Sequence, residues 1–344
     1  MRPFTRQTRR TFLGRLLAGC GVLGLSRLAA GATALLGRVA EAAEGLWTSL
    51  AGLSAEITPV GQFYTVSKNI FDPAVDARSW RLQIKGRVER PYTLTLEEIK
   101  RLPAVTKPHT LMCISNEVGG DLISNAEWKG VPLRPLLERA GIKPGSTELI
   151  LRARDGYSDS FPLTAALAEG TILAYEMNGK PLERQHGFPA RVLVMGIYGI
   201  KNVKWLTELA VAEYDYKGYW QVRGWSDEGI YKTFSRIDVP APRATLRHGE
   251  GHWIAGVAFA GDRGVKAVEV SVDGGQGWHP ARVKPALGPH AFSLWAYEWM
   301  PAAPGQTTLM VRAIDGTGAV QPAGPKPPLP DGAEGYHVVP VKVI

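Results

Sequence analysis

Cys113 is the residue whose type and setting most strongly suggest chemistry in this chain of 344 residues, because an apolar run precedes it and a glycine-rich turn follows it. The N-terminal segment described in the next paragraph predicts an exported protein. Exported proteins usually pair their thiols or lack them, so the presence of an unpaired Cys113 calls for an explanation. A free cysteine is often a small buried hydrophobic side chain, but its thiolate is also a nucleophile and a soft metal ligand. The remaining pattern of the chain favours a metal ligand.

The first 43 residues are predicted to be a targeting segment. Arg9 and Arg10, followed by Phe12 and Leu13, form the motif of a twin-arginine signal, and a weakly apolar stretch (16–36) leads to a small-residue cleavage site at 40–42. This route carries folded proteins, commonly with a cofactor already bound. We therefore expect a periplasmic or extracytoplasmic protein, with membrane anchoring through an uncleaved signal or a lipidated Cys20 as the alternative.

Charge and motifs exclude several function classes. The segment 1–43 holds seven arginines and one glutamate, a net charge of +6 out of the total of +8, which leaves +2 for the rest. No basic face with interleaved aromatic residues indicates nucleic acid as a partner. The sequence also has no GxxxxGK[ST] loop, HExxH or CxxC, so ATP chemistry and the common zinc sites are disfavoured.

Two regions of different texture follow the targeting segment. Strand-like runs at 80–86, 148–152 and 191–195 alternate with two predicted helices, one capped by Thr95 and one closed by Gly141, so residues 60–215 are expected to form a mixed α+β body. From residue 241 the pattern changes to strand-like runs at 254–259, 265–272, 308–314 and 336–343, with turns at 273–275 and 315–316. This spacing predicts a small β-sandwich, with the boundary at 240–242.

Four segments carry a resemblance to a known family. They are 63–69; 113–116 with the W-x-G-V-P-L run at 128–133; 173–182 with 186–191; and 198–206. Over residues 57–344 the chain resembles the sulfite-oxidase family of molybdopterin enzymes, and 268–278 resembles the immunoglobulin-like domain that relatives use for dimerisation. The resemblance implies an α+β fold, with a mixed α/β molybdopterin-binding oxidoreductase domain at 57–240 and an immunoglobulin-like β-sandwich at 241–344.

The resemblance also implies a cofactor and its ligands. In this family a cysteine thiolate, here Cys113, joins the two dithiolene sulfurs of one pyranopterin as a ligand to molybdenum, and thiolate suits such a soft centre. The matching catalytic positions are Cys113, Asn116 and Trp225. The matching positions that bind molybdopterin are Val66, Ser67, Lys68, Asn69, His186, Arg191, Gly199, Lys201 and Lys204.

The sequence departs from the family where sulfite is held. Sulfite-oxidising members have a C-x-G-N-R-R run, whereas here Glu117 and Val118 follow Asn116, and Ser67 replaces a further arginine. Trp225 stands where the active-site tyrosine of those members is expected. A site without these cations gathers a dianion poorly, so we expect two-electron oxygen-atom transfer on a neutral or zwitterionic S-oxide or N-oxide, with sulfite as the alternative substrate.

Partners and rival functions follow from the same pattern. The chain has no C-x-x-C-H haem attachment and no counterpart of the haem domain of animal members, so we expect electrons to be exchanged with a separate cytochrome or membrane quinone-linked haem protein. A homodimer is expected from the second domain. Two other classes stay open: a cysteine hydrolase that pairs Cys113 with His186 and Asn116, and a non-catalytic binding protein.

Overall fold

The computed structural model describes residues 45–344, so the predicted signal, its cleavage site and Cys20 lie outside the described residues. The chain divides into two units, of which the structure describes 45–51 and 52–344. The described part of the first unit contains a short helix, α1 (45–49). No helix within the described residues is long and apolar enough to cross a membrane. All further description concerns the second unit.

The second unit consists mostly of strands. Its helices are α2 (Leu96–Lys100), α3 (Leu133–Ala140) and α4 (Leu163–Ala166). Its strands, in chain order, are β1 (Leu82–Gly86), β2 (Tyr92–Leu94), β3 (Val105–Met112), β4 (Ile123–Pro132), β5 (Glu148–Ala153), β6 (Ser158–Pro162), β7 (Ile172–Met177), β8 (Lys180–Pro181), β9 (Arg191–Leu193), β10 (Leu206–Ala212), β11 (Phe234–Val239), β12 (Thr245–Leu246), β13 (His252–Phe259), β14 (Val265–Ser271), β15 (His279–Pro280), β16 (Arg282–Val283), β17 (Ser293–Trp299), β18 (Gly305–Asp315) and β19 (His337–Val343).

The two helices expected from the sequence are confirmed, and each has its predicted capping residue, Thr95 at the start of α2 and Gly141 at the end of α3. The Thr95 hydroxyl accepts from the Glu98 N–H at 3.1 Å, and the Glu98 carboxylate accepts from the Thr95 N–H at 2.8 Å, a complete capping box for α2. Helix α3 stops at Gly141, which has a φ of 72° that favours glycine.

Two sheets form the first domain. One has the order β2-β1-β10-β5-β6, and the other has the order β3-β4-β7-β8 with β9 paired to β7. The first sheet, α2 and α3 enclose the largest apolar core, and a smaller core lies around Trp128, Leu111 and Phe63. This smaller core supports the ends of β3 and β9, where the candidate site lies. The expected regular alternation of strands and helices is replaced by a body that is largely β.

The second domain is a two-sheet β-sandwich, which confirms the predicted fold. Its sheets have the orders β11-β13-β17-β16 and β12-β19-β18-β14-β15, and Trp295, Leu309 and Val339 are buried between them. Strand β11 pairs with β13 from Phe234 opposite Phe259, so the sandwich already begins there. The boundary between the two domains therefore lies before β11, on the N-terminal side of the predicted position at 240–242. The charged side chains of β11, Arg236 and Asp238, pair with each other at 2.6 Å.

The sandwich contacts the β3–β4 hairpin of the first domain directly. The Thr110 N–H donates to the His290 carbonyl at 2.9 Å, and the Thr110 hydroxyl accepts from the Phe292 N–H at 2.9 Å. Further along the hairpin, the Arg236 guanidinium donates to the Gly120 carbonyl at 2.8 Å. The hairpin that precedes and follows Cys113 is thus held by both domains.

Candidate active site

A cavity of about 290 Å³ lies where the predicted motifs converge. It is lined by parts of four chain segments, 63–68, 111–115, 185–191 and 199–205, together with Asp155, Tyr157, Trp220 and Trp225. Of the residues singled out in the sequence, Val66, Ser67, Lys68, Cys113, His186, Arg191, Gly199, Lys204 and Trp225 line it. The fold therefore brings most of the predicted site together.

Cys113 is the first residue after β3 and lines this cavity. Its N–H donates to the Leu122 carbonyl at 2.9 Å, which continues the pairing of β3 with β4. Its Sγ lies 3.0 Å from the Ser115 Oγ, and the side chain is half-buried. A thiol fixed by a strand end and still open to a cavity can act as a ligand.

Asn116 closes the loop that holds Cys113. Its N–H donates to the Cys113 carbonyl at 3.1 Å, and its Oδ1 accepts from the Leu122 N–H at 2.9 Å. The side chain is buried and does not line the cavity. Asn116 was predicted to be catalytic, but its placement corrects this: it is a positioning residue for the thiol.

Arg191 is a buried cation without a counter-ion among the described residues. Its side chain is 5% exposed, and its guanidinium donates to the carbonyls of His186 at 3.2 Å and Asn202 at 3.0 Å. Its Nε has no partner within residues 45–344, and no carboxylate in that part of the chain lies within 4.0 Å. Burial lowers the pKa of Arg191 to about 10. An unpaired charge in a buried position is costly, so an anion in the cavity would compensate it.

Lys204 extends this positive region and with Arg191 forms the cation cluster, and His186 lies beside them on the cavity. The Lys204 Nζ donates to the Ser67 hydroxyl at 2.8 Å and to the Gln185 carbonyl at 2.9 Å. Burial, and next the nearby Arg191 charge, lower the pKa of Lys204 to about 8. The His186 Nε2 lies 3.2 Å from the Val60 carbonyl, and burial lowers its pKa as well.

Gly199 lines the cavity and leaves no room for a side chain, while its predicted approach to the cofactor stays a prediction. A Cβ at this position would lie 2.7 Å from the Tyr64 hydroxyl oxygen and 3.3 Å from the Met112 carbonyl oxygen. Any side chain here would therefore displace Tyr64 or the end of β3, which directly precedes Cys113.

Lys201 and Asn69 do not line the cavity, although both were predicted to bind the cofactor. The Lys201 ammonium is 1% exposed and donates to Asp159 Oδ1 at 3.0 Å and to the Ser160 carbonyl at 2.7 Å. The positive charge of Lys201 is thus paired with Asp159 inside the protein. The exposed Asn69 amide donates to the Asp155 carbonyl at 3.2 Å, beside the cavity. For both side chains, the structure corrects the predicted direct role.

Tyr157 lines the cavity but was not predicted from the sequence. Its hydroxyl oxygen lies 2.8 Å from Asp159 Oδ2 and 2.7 Å from the Ile200 carbonyl oxygen. Burial, and next the Asp159 carboxylate, raise the pKa of Tyr157 well above its usual value, so the hydroxyl stays protonated. The available signal was the Asp155-Gly156 turn after β5, where Asp155 Oδ1 accepts from the Tyr157 N–H at 2.9 Å.

The geometry gives no support to a cysteine hydrolase. Within the described residues the hydrogen-bond partner of the Cys113 thiol is Ser115, and the His186 ring is directed at the Val60 carbonyl and Gln185. A nucleophile and its general base need to lie within hydrogen-bond reach. Asn116, the expected orienting residue, is bonded to Leu122 instead.

Comparison with known proteins identifies the family. The model of the oxidoreductase molybdopterin binding domain matches residues 69–220, and that of the Mo-co oxidoreductase dimerisation domain matches 230–328. The chain is 32% identical to the sulfite oxidase of Gallus gallus over 317 residues, which cover 77% of this chain and 68% of that protein. The chain belongs to the sulfite-oxidase family of molybdopterin oxidoreductases.

Other members of the sulfite-oxidase family show how far the similarity extends. The chain is 32% identical to the mitochondrial sulfite oxidase of Drosophila melanogaster over 326 residues, 79% of this chain and 56% of that protein. The solved structure of the sulfane dehydrogenase SoxCD from Paracoccus pantotrophus has a TM-score of 0.71 and 29% identity, over 79% of this chain and 76% of that one. The chain spans 56–68% of the length of the two sulfite oxidases.

The residues of the cavity fit the molybdenum–molybdopterin cofactor of this family. Cys113 offers one soft ligand, and within residues 45–344 no group of three or more His, Cys, Asp or Glu side chains could hold a metal ion. A metal bound here would therefore take further ligands from an organic cofactor, as a dithiolene provides. The cation cluster, with the unpaired Arg191 Nε, suits the anionic phosphate end of the pterin.

Proposed function

We propose that the protein catalyses two-electron oxygen-atom transfer on a sulfur or nitrogen centre, with Mo-molybdopterin held by Cys113 and the cation cluster. The observation that carries this proposal is the convergence of one positioned thiol and one uncompensated buried guanidinium on a single cavity. When bound, the cofactor supplies a metal centre that exchanges an oxygen atom and two electrons. S-oxides, N-oxides and sulfite are the candidate substrates.

The residues of the chain have distinct roles in this proposal. Arg191 binds the phosphate end, with Lys204 and His186 beside it. Asn116 keeps the Cys113 loop closed, so that the thiol occupies one position. Trp220 and Trp225 line the cavity on its half-buried side, where their rings would exclude water from a bound substrate.

Partners and location are also part of the proposal. We infer that electrons pass to a separate redox protein, a cytochrome or a quinone-linked haem protein, because the chain contains no C-x-x-C-H motif. A homodimer formed through the sandwich is supported by the match of residues 230–328 to a dimerisation domain. Export to the periplasm rests on the twin-arginine motif in the segment 1–43.

The test is Cys113→Ser in the complete protein. A hydroxyl is a hard, poorly ionised donor, so turnover of all three substrate classes should be lost while the fold is kept. Steady-state turnover, the molybdenum-to-protein ratio and circular dichroism are measured together. The control is Glu117→Gln, an exposed change in the same loop that does not line the cavity. Full activity in Cys113→Ser would refute the role of the thiol as metal ligand. A wild-type protein without molybdenum and pterin would refute the whole proposal and favour the non-catalytic alternative.

A further inference from the structure

Lys68 places a second, separate positive charge on the cavity. Its Nζ donates to Asn69 Oδ1 at 2.9 Å and to the Asp155 carbonyl at 3.0 Å, and it lies 5.2 Å from the centre of the Tyr219 ring. Within residues 45–344 no carboxylate oxygen lies within 4.0 Å of this ammonium group. The direct partners of the ammonium group are thus neutral, while Asp155, which also lines the cavity, has its carboxylate bonded through Oδ1 to the Tyr157 N–H at 2.9 Å.

The two positive regions are separate. Arg191, in the cation cluster, is 5% exposed, and Lys204 is half-buried, as are Lys68, Trp220 and Trp225. The hydrogen bonds of Lys68 also connect it to Asn69 and Asp155 and not to the cation cluster. A substrate must enter from solvent, so the half-buried Lys68, Trp220 and Trp225 suit the substrate and the buried Arg191 suits the cofactor.

The substrate side holds little further positive charge. Ser67, at one of the family's arginine positions, donates to Asp72 Oδ1 at 2.7 Å and accepts from Lys204. Glu117 and Val118, at two further positions, do not line the cavity. Arg223 does not line it either, and its guanidinium lies 3.7 Å from the centre of the Tyr219 ring. One lysine suits one negative charge better than the two of sulfite.

Apolar side chains form the rest of the substrate side of the cavity. Trp220 and Trp225 line it, and Val66, which also lines it, is 45% exposed. The Trp220 ring packs edge-on against Tyr219 with centroids 5.0 Å apart, so it is held next to the Lys68 site. A substrate with an apolar substituent beside its anionic group would contact these rings.

We propose that the substrate is an organic sulfinate, RSO₂⁻, with an apolar R group. This inference rests on the proposed function and narrows it. Lys68 binds the sulfinate oxygens, and Trp220 and Trp225 contact R. The reaction is RSO₂⁻ + H₂O → RSO₃⁻ + 2H⁺ + 2e⁻: a new S–O bond forms with oxygen from water, sulfur is oxidised by two electrons, and these pass to the separate redox protein. The two protons are released to solvent. The class differs from the neutral S-oxide expected from the sequence because Lys68 lies on the cavity.

The experiment compares benzenesulfinate, sulfite and dimethyl sulfoxide as substrates of the molybdenum-loaded enzyme, with a dye as electron acceptor or donor. Benzenesulfinate should have the highest kcat/KM. Lys68→Met should raise its KM about tenfold or more, with a smaller change in kcat, because a charge-assisted contact is lost. The inhibition constant of the product, benzenesulfonate, should rise in parallel, and the molybdenum-to-protein ratio should stay unchanged. Arg223→Met is the matched control, since Arg223 shares the Tyr219 ring but does not line the cavity.

Three results would overturn the inference. An unchanged KM and inhibition constant in Lys68→Met would show that Lys68 does not contact the substrate. A lower molybdenum content in that variant would place Lys68 on the cofactor. A higher kcat/KM for sulfite or dimethyl sulfoxide than for benzenesulfinate in the wild type would exclude the sulfinate class. These results leave the proposed function standing, whereas a wild-type protein without molybdenum defeats both.

Discussion

At the scale of one residue, the Arg191 guanidinium supports the proposal that an anionic cofactor binds in this cavity. A cation that is 5% exposed and has an unpartnered Nε among the described residues is unfavourable in the cofactor-free protein. The same preorganised donors become favourable when an anion binds, because charge-assisted hydrogen bonds are about twice as strong as neutral ones. Arg191 thus lowers the stability of the cofactor-free protein and raises its affinity for an anionic cofactor.

Arg191→Ala is expected to lower cofactor occupancy. A charge-assisted contact contributes about 1.5–3 kcal/mol, so the affinity for the cofactor should fall by one to two orders of magnitude. The molybdenum-to-protein ratio after purification measures this. Arg134→Ala serves as the control, since Arg134 is an exposed residue of α3 that pairs with Glu138. An unchanged ratio in Arg191→Ala would mean that another residue anchors the phosphate.

Lys204 predicts a pH dependence of cofactor loading. In the cofactor-free protein its pKa is lowered to about 8, so the ammonium is charged below this pH and neutral above it. Loading of an anionic cofactor should therefore weaken as pH rises through 8, while Arg191, with a pKa of about 10, stays charged. Lys204→Arg should remove the dependence, since its guanidinium does not titrate in this range. Molybdenum content after loading at several pH values on both sides of 8 is the measurement.

The pKa of Lys204 also fixes the sign of a stability effect that could be confused with this one. Its pKa in the folded protein lies below the usual 10.5, so between about pH 8 and 10.5 the unfolded chain binds the extra proton. The contribution of this group to the free energy of unfolding therefore grows as pH rises through that window. Weaker loading above pH 8 would not result from titration of Lys204 destabilising the protein.

At the scale of elements, the β3–β4 hairpin decides where the thiol lies. Asn116→Ala removes the acceptor of the Leu122 N–H, a loss of about 1 kcal/mol in stability. We expect a larger effect on function, because the loop that carries Cys113 is no longer fixed at its far side. The observable is a fall in kcat in protein that still contains molybdenum, with Glu117→Ala as the adjacent exposed control. Equal kcat values in both variants would show that the β3–β4 pairing alone holds the loop.

Local signals in the sequence predicted some elements and missed others. The capping box at Thr95 and the glycine at 141 define helix ends by contacts over a few residues, so both helices were predicted. Strand β4 was missed because it buries the polar residues Ser124 and Asn125, which obscures the apolar alternation of a half-buried strand. Asn125 is satisfied by the Thr58 hydroxyl and the Glu56 carbonyl, which are distant in sequence.

Local sequence signals likewise predicted part of the candidate site and missed the rest. Family motifs placed nine of the predicted residues on the cavity, since motif spacing carries that information. Motifs do not reveal which way a charged side chain turns. Lys201 was assigned to the cofactor, but Asp159 lies on β6, far along the chain, and pairs with it. Tyr157 was missed because its position depends on the packing of the turn after β5 against Ile200.

For the whole molecule, the twin-arginine proposal predicts where loaded protein accumulates. Changing Arg9 and Arg10 together to lysine should leave a cofactor-containing precursor in the cytoplasm, because this export route depends on the paired arginines. Fractionation followed by molybdenum analysis of each compartment tests this. Lysine at Arg6 is a control that keeps the pair intact. Normal export of the double variant would refute the assignment.

The contacts of Thr110, Gly120 and Arg236 have a consequence for recombination between relatives. The strand that ends at the thiol is bonded through Thr110 to the sandwich residues His290 and Phe292, and the loop after the thiol is bonded to β11. A chimaera that joins this first domain to a relative's sandwich therefore has to supply a carbonyl and an amide opposite Thr110 and a donor opposite Gly120. Without these groups the relative's sandwich would not hold the β3–β4 hairpin, and the Cys113 thiol would be displaced. The two domains are therefore exchangeable together, as a matched pair, and not one at a time.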